Sequence, residues 1–322
     1  MTTVSKPMIR TAAAAAALMA ATAAQGAAPC GFTPAFERPD EGGSTRVQVY
    51  EGAPDPALGG RRPLAFVTSL KANSDGTRTS YKVDDPHGDR QAINDIRYAI
   101  KPGKTVKDFE ALARAGWRPE SKVWSVVEDY VIEKDARTGK PCMDAEGYLV
   151  SMTADVAVAD GWGRIGDCDQ SKWLDALTIP SMVLPSDGGG FEARGALTRS
   201  AVAAMTLGGA SRLAYGIVGD LGPPDELGEG SIEMNRILNG LPENPTNYRQ
   251  VENLFGVPDT VVMVFPGEEN RMPYPITGEG AVAFSRARFE AWGGEARLRG
   301  CLAELGAAQA AADQGGEARS RP

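Results

Sequence analysis

The stretch that most constrains this chain runs from Arg212 to Leu238, RLAYGIVGDLGPPDELGEGSIEMNRIL. Leu213, Ala214, Tyr215, Ile217 and Val218 form an apolar, β-favouring run that predicts a buried strand over 213–218. Gly219 and Asp220 stop it, and a Gly/Pro-rich turn follows with Asp225 and Glu226 inside. Gly228-Glu229-Gly230 then lead to Ser231, a good N-cap; Ile232, Ile237 and Leu238 give the next helix an apolar face, and Gly240 ends it. Asp220 is therefore expected at a strand end and Glu229 just ahead of a helix. Two carboxylates fixed on either side of a short loop suit general acid and general base work. Carboxylates in such turns more often serve only as solvated turn residues or as complements to a helix dipole.

The N-terminus narrows the setting. Lys6 and Arg10 precede an alanine-rich apolar run over 11–24, with small residues at Ala21, Ala23, Ala24 and Gly26. This reads as a secretory signal peptide over 1–26, too short and alanine-rich to span a membrane. Pro29 before Cys30, with no leucine at the usual place, argues against a lipid anchor there. A secreted or periplasmic protein without a membrane anchor is expected. Its four cysteines, Cys30, Cys142, Cys168 and Cys301, then predict two disulfides with three possible connectivities.

Composition removes several classes. The cysteine spacing fits no zinc pattern and His87 is the one histidine, so no metal and no cofactor are expected. There is no G-x-S-x-G, no phosphate-binding glycine loop and no basic stripe. A formal charge of −8, with Lys6 and Arg10 in the leader, argues against nucleic acid and for neutral or cationic partners.

Residues 27–60 read as a Pro/Gly-rich leader, lying over the domain or partly loose, with one strand at 45–50. The globular pattern begins near Pro63, and one domain over 61–270 is expected. Strands are predicted at 64–68, 122–132, 148–158, 179–185, 201–206 and 260–266, with a hairpin turn at Gly208-Gly209 and glycine-rich 188–190 as a loop. Helices are predicted at 89–100, at 105–116 behind a Thr105 cap, and at 247–255. Trp117 and Trp124 read as core residues rather than sugar platforms. Residues 271–322 read as a helical appendage whose Ala/Gln/Gly-rich end, from Gly306, is expected to be disordered. Many short strands between turns and few helices predict a mainly β fold with a barrel-like core.

Five pieces in order carry a resemblance: Asp75-Gly76 followed by Tyr81; Val150-Ser-Met-Thr153; Ile179-Pro-Ser-Met-Val-Leu-Pro185; Tyr215-Gly-Ile-Val-Gly-Asp220 with Gly228-Glu229-Gly-Ser231; and the apolar strand at 260–266. Together, over 63–266, they resemble glycoside hydrolase family 75, the fungal-type chitosanases and their bacterial relatives. One departure is Asn73, which stands where the family's Asp-x-Asp-Gly turn has its first aspartate. The resemblance implies a double-psi-type barrel and endo-hydrolysis of β-1,4-linked glucosamine polymers with inversion. It implies that Glu229 protonates the glycosidic oxygen and Asp220 activates a water. Asp75, Tyr81, Thr153 and Tyr215 are the substrate-binding candidates, and a cationic or amino-sugar polysaccharide is the expected partner. Two other readings stand beside it: a hydrolase of another amino-sugar polymer such as peptidoglycan, and a non-catalytic glycan-binding or envelope protein. One physical point resists the assignment. A glutamate near a helix N-terminus has a lowered pKa, whereas a general acid needs a raised one.

Overall fold

In the computed structural model, eight strands form a single sheet, six of which close into a barrel. The structure describes residues 30–319 apart from 41, 42, 44, 187, 189, 209 and 210. The signal-peptide reading of 1–26 lies outside the described residues, as do Gly209 of the predicted hairpin turn and Gly189 of the glycine-rich loop. The strands are β1 (Thr33–Pro39), β2 (Arg46–Glu51), β3 (Leu64–Asn73), β4 (Ser181–Pro185), β5 (Ala201–Thr206), β6 (Leu213–Gly222), β7 (Glu229–Ser231) and β8 (Val257–Phe265). The barrel runs β3-β7-β4-β6-β5-β8 and closes through antiparallel β8–β3 pairing, Leu64 against Val264 through Leu70 against Val257. Its β3–β7 and β4–β6 pairs are parallel, and the others are antiparallel. The expected mainly β, barrel-like core is what the chain forms.

The strands read as near-continuous apolar runs because both faces are covered. One face gathers Phe66, Leu184, Val202, Ala214, Val218 and Val262 into the barrel interior. The alternate residues, Ala65, Ala203, Met205, Tyr215, Met263 and Phe265, pack outward against the C-terminal helices. Those helices are part of the fold rather than an appendage: Phe289, Trp292 and Leu298 are buried in that outer layer.

The helices in chain order are α1 (Val106–Arg114), α2 (Glu120–Val123), α3 (Ile232–Asn239), α4 (Tyr248–Leu254), α5 (Gly278–Trp292) and α6 (Gly294–Arg319). The Thr105 and Asn247 caps act as predicted, and Thr105 forms a complete capping box with Asp108. The helix α6 continues through the segment expected to be disordered; its alanines have high helix propensity. No helix among the described residues is long and apolar enough to cross a membrane.

The leader is likewise built in. β1 and β2 pair with each other, and β2 joins β3 through Tyr50–Ala65 and Glu51–Leu64. Cys30 is bonded to Cys301, and Glu304 accepts the N–H groups of Cys30 and Phe32, so the two ends of the described chain are clamped together. The second disulfide joins Cys142 to Cys168.

The long connection between β3 and β4 corrects three expectations. The predicted helix at 89–100 is a loop with one short 3-10 turn, Ile96–Ala99. The Asp85 carboxylate accepts the N–H groups of Asp89, Arg90, Gln91 and Ala92, capturing donors a helix would have used itself. The predicted strand at 122–132 is α2 and a series of tight turns. Its valines pack with Tyr81, Phe109 and Trp117 in a separate small core. The predicted strand at 148–158 makes single bridges to Lys82, Met143, Ile132 and Trp173, four different partners that allow no continuous ladder.

Candidate functional site

One residue pairing builds the site. β4 and β6 run in register with Ser181 against Ile217 and Met182 against Val218, and then Val183 meets Asp220, skipping Gly219. This β-bulge adds one residue to β6, so Asp220 emerges on the face opposite to Val218. Val218 points into the barrel interior, whereas Asp220 lines a cleft of about 550 Å³. Only glycine fits at the bulge, because a Cβ on Gly219 would lie 2.6 Å from the Ser181 Cβ. Asp220 therefore sits inside β6, not at its end as expected.

On the other side of β4, Val183 pairs with Glu229 of β7. Directly paired residues share a face of the sheet, so Asp220 and Glu229 flank Val183 on the same face and both line the cleft. Two strand spacings place their Cα atoms roughly 9–10 Å apart. Glu229 lies two residues before the α3 N-cap, Ser231, in a strand. The helix-dipole objection weakens accordingly, since that effect is confined to the first turn.

Asp75 joins them from the turn after β3. Its Oδ1 accepts from the Tyr81 hydroxyl (2.9 Å) and from Ser151 Oγ (3.1 Å), while Asn94 Nδ2 donates to the same Tyr81 oxygen (3.0 Å). Gly76, at φ +84°, passes beneath Leu174, where a Cβ would lie 2.0 Å from the carbonyl oxygen. Asn73 accepts the Asp75 N–H (2.9 Å) and reaches toward Glu229 with its own Nδ2 (3.5 Å). Asn73 thus stands directly beside Glu229.

The electrostatics are those of crowded carboxylates. Burial, then repulsion from Asp75, pushes Asp220 up to about 7, against the backbone N–H groups of Ala154 (2.6 Å) and Leu221 (2.9 Å). Burial raises Asp75 to about 6 despite the Tyr81 and Ser151 hydrogen bonds. Tyr81 is pushed up by burial and then by Asp75, so its hydroxyl stays a donor at neutral pH. Glu226 also lines the cleft and is raised by burial and by Asp225. Asp225 itself is exposed and off the cleft wall.

Asp220 and Asp75 have folded values above the ordinary 3.8. The stability they contribute is full below about pH 4 and is lost as pH rises through about 6 to 7. Asp220→Asn, which keeps an oxygen for the two N–H groups, is expected to raise the thermal midpoint over wild type at pH 8 but not at pH 4. An equal difference at both pH values would refute the raised carboxyl.

The remaining sequence candidates divide. Asp75 and Tyr81 line the cleft. Thr153 is buried behind it: its Oγ1 donates to the Asp155 carbonyl and accepts from Leu174 N–H, which fixes the loop presenting the Ala154 N–H to Asp220. Tyr215 is not at the site: it shares the outer face with Asp220 but lies further back along β6, packed against Phe289 of α5. Trp117 and Trp124 are packing residues, as read. The sequence reading missed Tyr98, Tyr130, Tyr248 and Glu252 on the cleft wall. The available signal was the i, i+4 spacing of Tyr248 and Glu252 on a short helix. Among the described residues no group of three or more histidine, cysteine or acidic side chains is placed to hold a metal ion. No protein-family model and no curated protein matches this chain.

Proposed function

We propose that the chain is an exported glycoside hydrolase of the chitosanase type, related to glycoside hydrolase family 75, that cleaves β-1,4-linked glucosamine polymers with inversion. One observation carries the reading: Asp220 and Glu229 pair to the same Val183 from opposite sides and open onto one cleft. Cα atoms roughly 9–10 Å apart suit the carboxyl separation of about 6.5–9.5 Å that leaves room for an inverting enzyme's water. Three further acidic residues, Asp75, Glu226 and Glu252, line the same cleft and suit a polycation.

In the proposed step, Glu229 protonates the glycosidic oxygen as the C1–O bond breaks. Asp220 takes a proton from a water that attacks C1 on the opposite face. An aspartate held at about 7 is a far stronger base than an ordinary one and is still about half ionised at neutral pH. The same value favours a second reading with the roles exchanged, since a carboxyl near 7 is also partly protonated. Tyr81 and Ser151 hold Asp75 beside the pair, and its charge keeps Asp220 basic.

The test is reducing-end release from chitosan, chitin and peptidoglycan in parallel by the exported protein. Release from chitosan well above the other two is expected. Release only from peptidoglycan moves the substrate to the cell wall, and no release with retained binding favours a non-catalytic glycan-binding protein.

A further inference from the structure

A second wall of the cleft carries a group of side chains that the proposed chemistry leaves unused. Tyr98, in the Ile96–Ala99 turn, and Tyr248 and Glu252, one turn apart on α4, all line it. Tyr98 is 56% exposed, although it sits in a concavity. Its ring packs edge-on to Tyr248 (centroids 6.2 Å, 63°). The hydroxyls are 3.1 Å apart, and Tyr248 donates to Glu252 Oε1 at 2.7 Å, so the Tyr98 hydroxyl is the donor to Tyr248.

Tyr248 itself is fixed. It is buried, and its N–H is held by the Gly88 and Ala92 carbonyls. The arrangement is therefore a preorganised one: a phenol ring with an open face beside a carboxylate that uses one oxygen internally. The neighbouring Arg249 of α4 is paired with Asp89, not with Glu252. An open aromatic face takes the C–H face of a pyranose ring, and a carboxylate beside it takes an ammonium group.

We propose that Tyr98, Tyr248 and Glu252 form an outer subsite for a protonated 2-amino-2-deoxyhexosyl unit, stacked on Tyr98 with its ammonium at Glu252. The subsite rests on the hydrolase reading above, whose cleavage point lies at Asp220 and Glu229. It gives the cleft a preference for free amino sugars away from the reacting bond.

Titration calorimetry on the full exported protein carrying Asp220→Asn, with glucosamine hexasaccharide and N-acetylglucosamine hexasaccharide as probes, tests it. Adding Tyr98→Ala is expected to weaken glucosamine hexasaccharide binding about 10-fold, and Tyr98→Phe by about 2-fold or less, since the ring remains. Adding Glu252→Gln is expected to weaken the glucosamine probe about 5-fold and to leave the acetylated probe unchanged, because only the former is cationic. Parental affinity in Tyr98→Ala overturns the subsite while leaving the hydrolase reading in place. Equal weakening of both probes by Glu252→Gln overturns the ammonium assignment. A parent that binds no glucosamine hexasaccharide, paired with a wild type that releases no reducing ends from chitosan, overturns the hydrolase reading and the subsite with it.

Discussion

Asp220→Asn and Glu229→Gln are each expected to cut chitosan turnover about 10²–10⁴-fold, the usual worth of a general acid or base, with folding and substrate binding retained. Each change keeps side-chain size, and the amide oxygen introduced by Asp220→Asn still accepts from the Ala154 and Leu221 N–H groups. The two variants also separate the roles. The variant lacking the base is expected to recover rate with added azide, which replaces the activated water. The variant lacking the acid is expected to keep most of its rate on aryl glycosides whose leaving groups need no proton. Azide rescue of Glu229→Gln rather than Asp220→Asn would exchange the two roles. A wild type that is active and stays active through both substitutions would remove the pair, and Glu226, the other acidic residue of that loop on the cleft wall, would be substituted next.

How far the site was legible in the sequence depends on what each residue's environment required. Residues 201–206 and 260–265 were readable as strands because burial on both faces leaves an unbroken apolar run. Asp220 and Glu229 were readable as a pair because glycines bracket each, and the structure gives those glycines work: Gly219 makes the bulge and Gly228, at φ +130°, enters β7. The bulge itself was not legible. A one-residue slip leaves no trace in composition, yet it decides whether Asp220 faces the barrel interior or the cleft. Tyr215, for which the resemblance implied substrate contact, is on the same face but further back along β6, where α5 covers it. Apart from α1, whose helical period and Thr105 cap were legible, much of the segment between β3 and β4 was misread for a related reason. Its backbone groups are satisfied by side chains such as Asp85 and Gln170 and by single bridges, and neither period is present to be read. Tyr98 and Tyr130 look like core aromatics in sequence, and only exposure inside a concavity distinguishes them.

The second large effect is expected far from the cleft chemistry, in the loop that supports it. Lys172 and Glu133 have wholly buried side chains and meet at 2.7 Å. Glu133 also accepts from Trp173 Nε1 (3.1 Å) and from the Gly166 N–H, and Lys172 also reaches Asp167. Taking one partner away leaves a charge without its counter-ion in a site water does not reach, which costs about 3–5 kcal/mol. Lys172→Met is therefore expected to lose about that much in urea denaturation. The double variant Lys172→Met with Glu133→Gln removes both charges and keeps an acceptor oxygen for only one of the Gly166 N–H and Trp173 Nε1, which bond different oxygens of Glu133. It is expected to recover most of the loss, with a residual cost of about 1–2 kcal/mol for imperfect hydrogen bonds. This knot lies between Ser151, which holds Asp75, and Leu174, whose N–H fixes Thr153 behind Asp220, and the Cys142–Cys168 disulfide closes the same segment. Turnover in Lys172→Met is accordingly expected to fall with the folded fraction and to return in the double variant. A single variant that costs less than about 1 kcal/mol, or a double variant no more stable than the single, would show that relief of a buried charge is not what holds this loop beneath the carboxylates.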